Sequence, residues 1–191
     1  MSKIVFLGNS GVGKSAILRR FKFDEFHACN ESTIGCEFFA KTVIINEVEK
    51  KLLLWDTAGQ EVFRSFTQNF LRGSKVIVIV YDITHQKIIN QLENWLQEAK
   101  KQIQNPKIIL VGNKIDLGNL IDHQPEINSI IENNNELLIY DFGVVSAKKD
   151  YKIKELFEFI ASKTDISINT SPTNSINFVD SNNDGYSCCY G

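Results

Sequence analysis

The sequence predicts an α/β fold with a six-stranded, mostly parallel sheet, one antiparallel strand and five flanking helices. Short β-branched runs alternate along the chain with stretches of helical periodicity. Two of the runs, 75–82 and 107–113, are continuously apolar, which is typical of central strands covered by helices on both faces. With 191 residues, 43% of them hydrophobic and 23% charged, the chain is long enough to bury the core of one domain.

The predicted strands are short runs rich in Val, Ile, Leu and Phe. In chain order they are Lys3–Leu7, Glu37–Asn46, Lys51–Trp55, Lys75–Asp82, Lys107–Asn113 and Glu136–Phe142. The second and third are joined by a short polar link around Glu47–Lys50, which predicts a hairpin. The hairpin supplies the antiparallel strand of the sheet.

The predicted helices lie between or after these strands. In chain order they are Lys14–Phe23, Val62–Leu71, Gln86–Gln102, Pro125–Asn133 and Tyr151–Lys163. In the third of them, apolar residues recur at helical spacing and mark one buried face. Those residues are Ile88, Leu92, Trp95, Leu96, Ala99 and Ile103. Pro125 suits the first turn of a helix.

The composition changes after Lys163, which divides the chain into a domain at 1–163 and a flexible tail at 164–191. Ser, Thr, Asn and Asp dominate the tail. All 21 Lys and Arg lie in 1–163 with 20 of the 23 acidic residues, so the domain carries +1 and the tail −3. The net charge of −2 supplies no basic footprint, and no nucleic-acid partner is expected.

Secreted and membrane-spanning classes are not expected. Four cysteines are too few for a disulfide scaffold, and no apolar stretch approaches 18 residues. Met1 leads almost directly into an apolar strand, with no signal-peptide pattern between them.

A glycine-rich loop at Gly8–Ser15 matches the pattern G-x-x-x-x-G-K-S/T between a predicted strand and a predicted helix. The glycines let the backbone curl so that successive N–H groups face phosphate oxygens, and the helix start adds its positive dipole. Lys14 would neutralise β- and γ-phosphate charge, and the Ser15 hydroxyl would bind Mg²⁺. The residues expected to bind the nucleotide here are Ser10, Gly11, Val12, Gly13, Lys14, Ser15 and Ala16. The simpler alternative is a glycine-rich turn with a chance lysine.

The run Asn113-Lys114-Ile115-Asp116 follows a buried strand and could read the base. The Asp116 carboxylate can accept hydrogen bonds from guanine N1–H and from the 2-amino group. Adenine presents a lone pair at N1 and no 2-amino donor, so the same carboxylate would remain unpaired. Ser146-Ala147-Lys148 follows the last strand, where a backbone N–H could meet guanine O6.

Over about residues 3–163, this combination of motifs resembles the Ras superfamily of small GTPases. The resemblance implies bound GTP or GDP with Mg²⁺ and slow GTP hydrolysis. It assigns guanine recognition and ribose-side packing to the first base loop, Asn113, Lys114 and Asp116. It assigns the second base-contacting loop to Ser146, Ala147 and Lys148, and the edge of the guanine to Phe26.

The resemblance also points to the segment Asp56–Gln60 and to Thr33 as the sensors of the γ-phosphate. Asp56 and Thr33 would hold Mg²⁺ with Ser15, Gly59 would approach the γ-phosphate, and Gln60 would orient the attacking water. The catalytic residues are therefore expected to be Gln60, Lys14 and Thr33. Loss of the γ-phosphate would release the loops at 26–37 and 59–72 together, as in switches of this class.

The arginine distribution predicts slow intrinsic hydrolysis. The four arginines are Arg19, Arg20, Arg64 and Arg72, and none lies in the loop at 26–37. An internal arginine finger is therefore not expected, and a GTPase-activating protein would supply one.

Within the superfamily, segments between the two loops are similar to those that distinguish Rab GTPases. They are Ile34–Phe38, Lys51–Asp56 and Phe70–Gly73. The resemblance makes Phe38, Trp55 and Phe70 an exposed aromatic triad used for effector recognition; core packing is the alternative for each one alone. The chain departs from the pattern in three places, by lacking a proline before Thr33, by carrying Val62 in place of an arginine and by having Phe70-Leu71 in place of a tyrosine pair.

The ending Cys188-Cys189-Tyr190-Gly191 resembles the Rab double-cysteine ending, which is geranylgeranylated on both cysteines. One lipid binds membranes marginally and two bind stably. Since the tail has no Lys or Arg to attract anionic lipid, two lipids are expected to be needed here. Unmodified exposed cysteines are the alternative.

The resulting prediction is a monomeric GTP/GDP switch in vesicle-mediated protein transport. It would cycle between the cytosol and the cytoplasmic face of endomembranes. Its expected partners are effectors, an exchange factor, a GTPase-activating protein and prenylation or GDI-type chaperones. Two alternatives remain, a scaffold that holds nucleotide without cycling and a phosphate-loop kinase or ATPase, which would leave Asn113–Asp116 without a role.

Overall fold

The computed structural model describes residues 1–27, 36–57, 70–118, 121–164 and 187–189. Its strands are β1 (Ser2–Leu7), β2 (Cys36–Ile45), β3 (Val48–Thr57), β4 (Val76–Asp82), β5 (Lys107–Asn113), β6 (Leu138–Val144) and β7 (Ser187–Cys189). Its helices within these ranges are α1 (Lys14–Phe23), α2 (Ile88–Gln102), α3 (Gln124–Asn133) and α4 (Ile153–Lys163). A 3₁₀ turn covers Ile115–Leu117.

The predicted six-stranded sheet is confirmed, and a short strand is added at one edge. The strand order is β6-β5-β4-β1-β3-β2-β7. Every pairing from β6 to β3 is parallel, and the β2–β3 pairing is antiparallel. The seventh strand, β7, comes from the segment that composition assigned to the tail and pairs antiparallel with β2. The predicted helix Val62–Leu71 lies outside the described residues except for Phe70 and Leu71, which are helical.

The hairpin between β2 and β3 turns two residues earlier than its polar composition indicated. Ile45 pairs with Val48, so only Asn46 and Glu47 form the turn. Both have positive φ, 49° and 64°, as a two-residue type I′ turn requires. The charged run at 49–51 is therefore strand rather than link, because this end of the hairpin is largely exposed and charged side chains are compatible with an exposed strand.

Alternation along the central strands divides the core between the two faces of the sheet. Ile4 and Phe6 face one side, and Val5 and Leu7 face the other. The first side is packed by α1 and α4, where Phe21 stacks on Phe157 with ring centroids 3.6 Å apart. The second is packed by α2 and α3, and the predicted α2 face is buried there, with Ile103 only partly so. Among the described residues, no helix has the length and apolarity needed to cross a bilayer.

Candidate functional site

The loop between β1 and α1 is a tight turn pressed against β4. Gly8 and Gly13 have φ of 141° and 97°, values that residues with a side chain rarely adopt. A Cβ on Gly8 would lie well under 3.0 Å from the backbone carbonyl oxygen of Val80. Gly13 is the N-cap of α1, and its carbonyl accepts the first helical hydrogen bond from the Ile17 N–H at 3.0 Å. Ser10 and Gly11 form the exposed tip of the loop.

The ammonium of Lys14 is buried beneath this loop. It donates to the carbonyl oxygens of Gly8 at 2.9 Å and Asn9 at 3.1 Å, and the residue is 5% exposed. Burial lowers the pKa of Lys14 to about 8, against the opposing effect of the Asp56 charge. A buried cation pointing into a glycine loop is suited to hold an anion such as a phosphate.

Asp56, near the carboxyl end of β3, fits the role of a cation ligand. Burial raises the pKa of its carboxyl to about 6, while a hydrogen bond from the Ser15 side chain and the charge of Lys14 oppose the rise. Its Oδ1 is buried and has no hydrogen-bond partner within the described part of the chain. A hydroxyl and an under-coordinated carboxylate side by side are hard oxygen donors of the kind Mg²⁺ prefers, so Ser15 and Asp56 fit a magnesium site.

Asn113 connects three loops of the site. Its Nδ2 donates to the carbonyl of Val12 at 2.9 Å, and its Oδ1 accepts from the backbone N–H of Ala147 at 3.3 Å. It is 3% exposed and lies against Gly13, where an added Cβ would collide with its Nδ2. The side chain predicted to help read the base therefore also ties the phosphate loop to the second base loop.

The Asp116 carboxylate is fixed by the second base loop. The Ser146 hydroxyl donates to its Oδ1 at 2.6 Å, and Ser146 is fully buried. The same hydroxyl accepts the Lys149 N–H at 3.0 Å. One carboxylate oxygen of Asp116 is thereby oriented, which presets the carboxylate for a planar base edge. Phe26, predicted at the guanine edge, is half-buried against the core face that α1 and α4 pack.

Two positioning residues were missed from the sequence. Asp82 ends β4 beside Asn113 and forms an ion pair with Lys114, Oδ2 to Nζ 2.7 Å. Its other oxygen accepts from the N–H and hydroxyl of Thr84. Arg20 on α1 donates to the carbonyl of Ala147 at 3.0 Å and so ties the second base loop to α1. The Asp-x-Thr spacing after a buried strand signals such a turn, whereas the contact of Arg20 spans 127 positions and has no local signal.

The three aromatics predicted to recognise effectors form one cluster. Phe38 on β2 stacks on Trp55 on β3, with centroids 4.8 Å apart, and Phe70 lies 6.1 Å from Trp55. All three are partly exposed. The Lys3 ammonium covers the Trp55 ring at 4.1 Å. The cluster lies on the hairpin side of the sheet and is continuous with β2.

The structure brings the predicted phosphate loop, Asp56 and both base loops together at the carboxyl ends of the parallel strands, where α/β sheets bind ligands. Lys148 lies exposed at the rim of the second base loop. Thr33, Gly59 and Gln60 lie outside the described residues, and their predicted roles stay predictions. Cys188 and Cys189 lie in β7, beside β2, and only their backbone is described.

The Ras family model matches residues 3–165 of the chain. The match covers most of the 191 residues, including the phosphate loop, Asp56 and both base loops. The chain therefore belongs to the Ras family, the small GTPases that act as GTP/GDP switches.

Proposed function

We propose that this Ras family protein is a Rab-like switch that binds GTP with Mg²⁺, hydrolyses it to GDP and phosphate, and recruits effectors to endomembranes. One observation carries the nucleotide part. A buried ammonium, Lys14, and a buried carboxylate, Asp56, lie beside a hydroxyl at the end of the sheet where the base loops converge. The buried ammonium of Lys14 suits the negative phosphates of MgGTP, and the buried carboxylate of Asp56 suits its magnesium ion.

The described side chains have separate tasks in this mechanism. The phosphate loop and Lys14 bind the β- and γ-phosphates and offset their charge. Ser15 and Asp56, with Thr33 from the sequence pattern, would hold the magnesium ion, which supplies charge stabilisation at the phosphates when bound. Asp116, oriented by Ser146, accepts from the guanine edge.

Hydrolysis itself depends on Gln60, which would orient a water for in-line attack on the γ-phosphate. With no arginine between residues 26 and 37, the intrinsic rate is expected to be slow and to rise when an activating protein supplies one.

The test of the switch is single-turnover hydrolysis of GTP by the full chain with Mg²⁺. Gln60→Leu should retain GDP and GTP binding and lose about tenfold or more in hydrolysis rate, because the attacking water loses its orienting group. Gln97→Leu, at an exposed position on α2, is the matched control and should hydrolyse GTP normally. Absence of hydrolysis in the unaltered chain, even with an activating protein, would favour a scaffold that holds nucleotide without cycling.

Competition between nucleotides separates a GTPase from a phosphate-loop kinase or ATPase. Unlabelled GTP should displace bound labelled GDP at far lower concentration than ATP, since adenine leaves the Asp116 carboxylate facing a lone pair. Equal displacement by ATP would contradict guanine recognition by this site.

Support for the Rab assignment comes from the contiguous Phe38, Trp55 and Phe70 cluster and from the double-cysteine ending. A partly exposed aromatic cluster beside a sheet edge suits protein recognition. We expect geranylgeranylation of both Cys188 and Cys189 and cycling between cytosol and endomembranes. In cells, changing both cysteines to Ser should move the protein from the membrane fraction to the cytosol; retention on membranes would refute lipid anchoring.

A further inference from the structure

The outer edge of the sheet carries a strand contributed by the C-terminal tail. Ser187–Cys189 pairs antiparallel with the beginning of β2, in the register Phe38 to Ser187, Glu37 to Cys188 and Cys36 to Cys189. Two of the paired β2 residues, Cys36 and Glu37, belong to the predicted nucleotide-sensing loop at 26–37. The third, Phe38, belongs to the aromatic cluster.

The edge of β2 is a site for an extended peptide. A strand at the edge of a sheet presents unpaired N–H and C=O groups that accept another strand. Such pairing obtains affinity from main-chain hydrogen bonds and requires little of the sequence that binds. The short segment Ser187–Cys189 therefore meets the requirement.

The tail is long enough to reach this position from the end of α4. That end lies near the β2–β3 hairpin, where Lys50 Nζ donates to the carbonyl of Ala161 at 3.1 Å. Lys50 is in register with Val43, which lies five to seven residues along β2 from the paired residues, so the distance is about 20 Å at the usual rise per residue in a strand. Residues 165–186 separate the end of this helix region from Ser187, and 22 residues can span at most about 75 Å. A tether long enough to span this distance raises the effective concentration of the segment at the edge.

We propose that the tail segment Ser187–Cys189 is a displaceable cover of the β2 edge, so that burying the terminal cysteines in a membrane uncovers that edge. The consequence rests on the proposed function, because it requires Cys188 and Cys189 to carry the lipids. A lipidated segment held in a bilayer cannot also lie along β2. The edge beside Phe38 would then be available to an effector on the membrane and occupied in the cytosol.

The pairing between β7 and β2 is short and therefore weak, as a displaceable cover requires. Only three residues pair, and the net contribution of each backbone hydrogen bond is largely offset by the cost of ordering the residues that make it. Closure is therefore expected to slow exchange of the covered amides modestly, by about fivefold.

Amide hydrogen exchange of the unlipidated full chain, loaded with GDP and Mg²⁺, tests the cover itself. The informative amides are those among Cys36–Phe38 that point away from β3. Ser187→Pro, which removes an N–H and disfavours pairing, and a chain ending at Tyr186 should both exchange these amides about fivefold faster than the unaltered chain. Ser175→Pro, in the tail but outside β7, should leave them unchanged. Identical exchange in the unaltered and shortened chains would overturn the proposal.

The same measurement on lipidated protein bound to phosphatidylcholine vesicles tests mutual exclusion. In the lipidated protein on vesicles, the β2 amides should exchange without protection. In the unlipidated chain mixed with the same vesicles, they should remain protected. Protection that persists in the vesicle-bound protein would overturn the proposed coupling. Failure of the cysteines to accept a lipid in cells would instead reject lipid anchoring, and the exchange result on the unlipidated chain would remain valid.

Discussion

Asn113 shows how one side chain can serve both the stability and the ligand chemistry of a site. Its amide donates to the phosphate loop and accepts from the second base loop while it lies almost fully buried. The two hydrogen bonds cross 101 and 34 positions of sequence. Removing the amide leaves a carbonyl and an N–H in the interior without partners, which costs more than the hydrogen bonds contribute.

Asn113→Ala should therefore destabilise the protein by about 2–3 kcal/mol and weaken GDP binding by tenfold or more. Urea unfolding and equilibrium binding of labelled GDP measure the two effects. Asn90→Ala, at an exposed position on α2, is the control and should change the free energy of unfolding by less than about 0.5 kcal/mol. An equal effect of both substitutions would contradict the connecting role of Asn113.

Asp82 is a second residue whose role depends on charge. Burial alone would raise its pKa, but hydrogen bonds from Lys114 and Thr84 outweigh burial and hold the pKa below the ordinary value for Asp. A carboxyl with a lowered pKa in the folded state stabilises the protein above its unfolded pKa of about 3.9, and that stabilisation is lost as the pH falls through the folded pKa.

Asp82→Asn should accordingly cost about 1 kcal/mol of stability between pH 5 and pH 8, a value reduced by the partial exposure of the Lys114 pair. The difference between the two proteins should shrink as the pH falls from about 4 through the folded pKa, because the unfolded carboxyl is protonated first and the native carboxyl only at the lower pKa of the folded state. Unfolding curves at several pH values measure it. Glu93→Gln, exposed on α2, should show no such dependence, and a constant difference down to pH 2 would contradict the assignment.

At the scale of elements, the strands follow from composition alone where the chain is buried on both faces. The runs at 75–82 and 107–113 show no alternation of polar and apolar residues in their interiors, which predicts buried strands. The observed ends of β4 and β5 differ by at most one residue from the predicted ends. The hairpin was less predictable, because the charged residues 49–51 extend an exposed strand rather than a link. Asp82 went unnoticed because it becomes a neighbour of Lys114 only when β4 and β5 align, and Arg20 because it meets Ala147 only when α1 packs in the folded chain.

The turn from β1 into α1 depends on backbone contact with β4 as well as on backbone conformation. Gly8 and Gly73 both have positive φ, 141° and 77°, but only Gly8 lies against a neighbouring carbonyl, that of Val80. A Cβ on Gly73 would meet nothing within 4 Å. The pair therefore compares a glycine required by backbone conformation alone, Gly73, with one required by both conformation and close contact, Gly8.

Gly73→Ala should cost about 1 kcal/mol of unfolding free energy, from strain alone. Gly8→Ala should cost about 3 kcal/mol or more and should also weaken nucleotide binding, because β1 or the loop must move away from β4. Thermal and urea unfolding with GDP titration measure both. Similar losses in the two variants would show that the contact with β4 contributes nothing.

At the scale of the whole molecule, the distribution of charge bears on the proposed membrane attachment. The near-neutral part at 1–163 holds every Lys and Arg, and residues 164–191 hold three acids and no base. A basic segment beside a lipid anchor gains about 1 kcal/mol per Lys or Arg from an anionic leaflet. The tail of this chain has no basic residue to gain such energy, so the membrane attachment proposed above would depend on the lipids alone.

Binding of the doubly lipidated protein to vesicles should therefore be nearly independent of salt between about 0.05 and 0.5 M, because screening has little attraction to remove. Adding phosphatidylserine to phosphatidylcholine vesicles should not increase it. A variant with Asn174, Asn177, Asn182 and Asn183 changed to Lys should bind anionic vesicles more tightly and lose that gain in high salt. Vesicle co-sedimentation measures the binding of both proteins. Strong salt dependence in the unaltered chain would mean that basic residues of the folded domain reach the bilayer, so that the tail does not act alone.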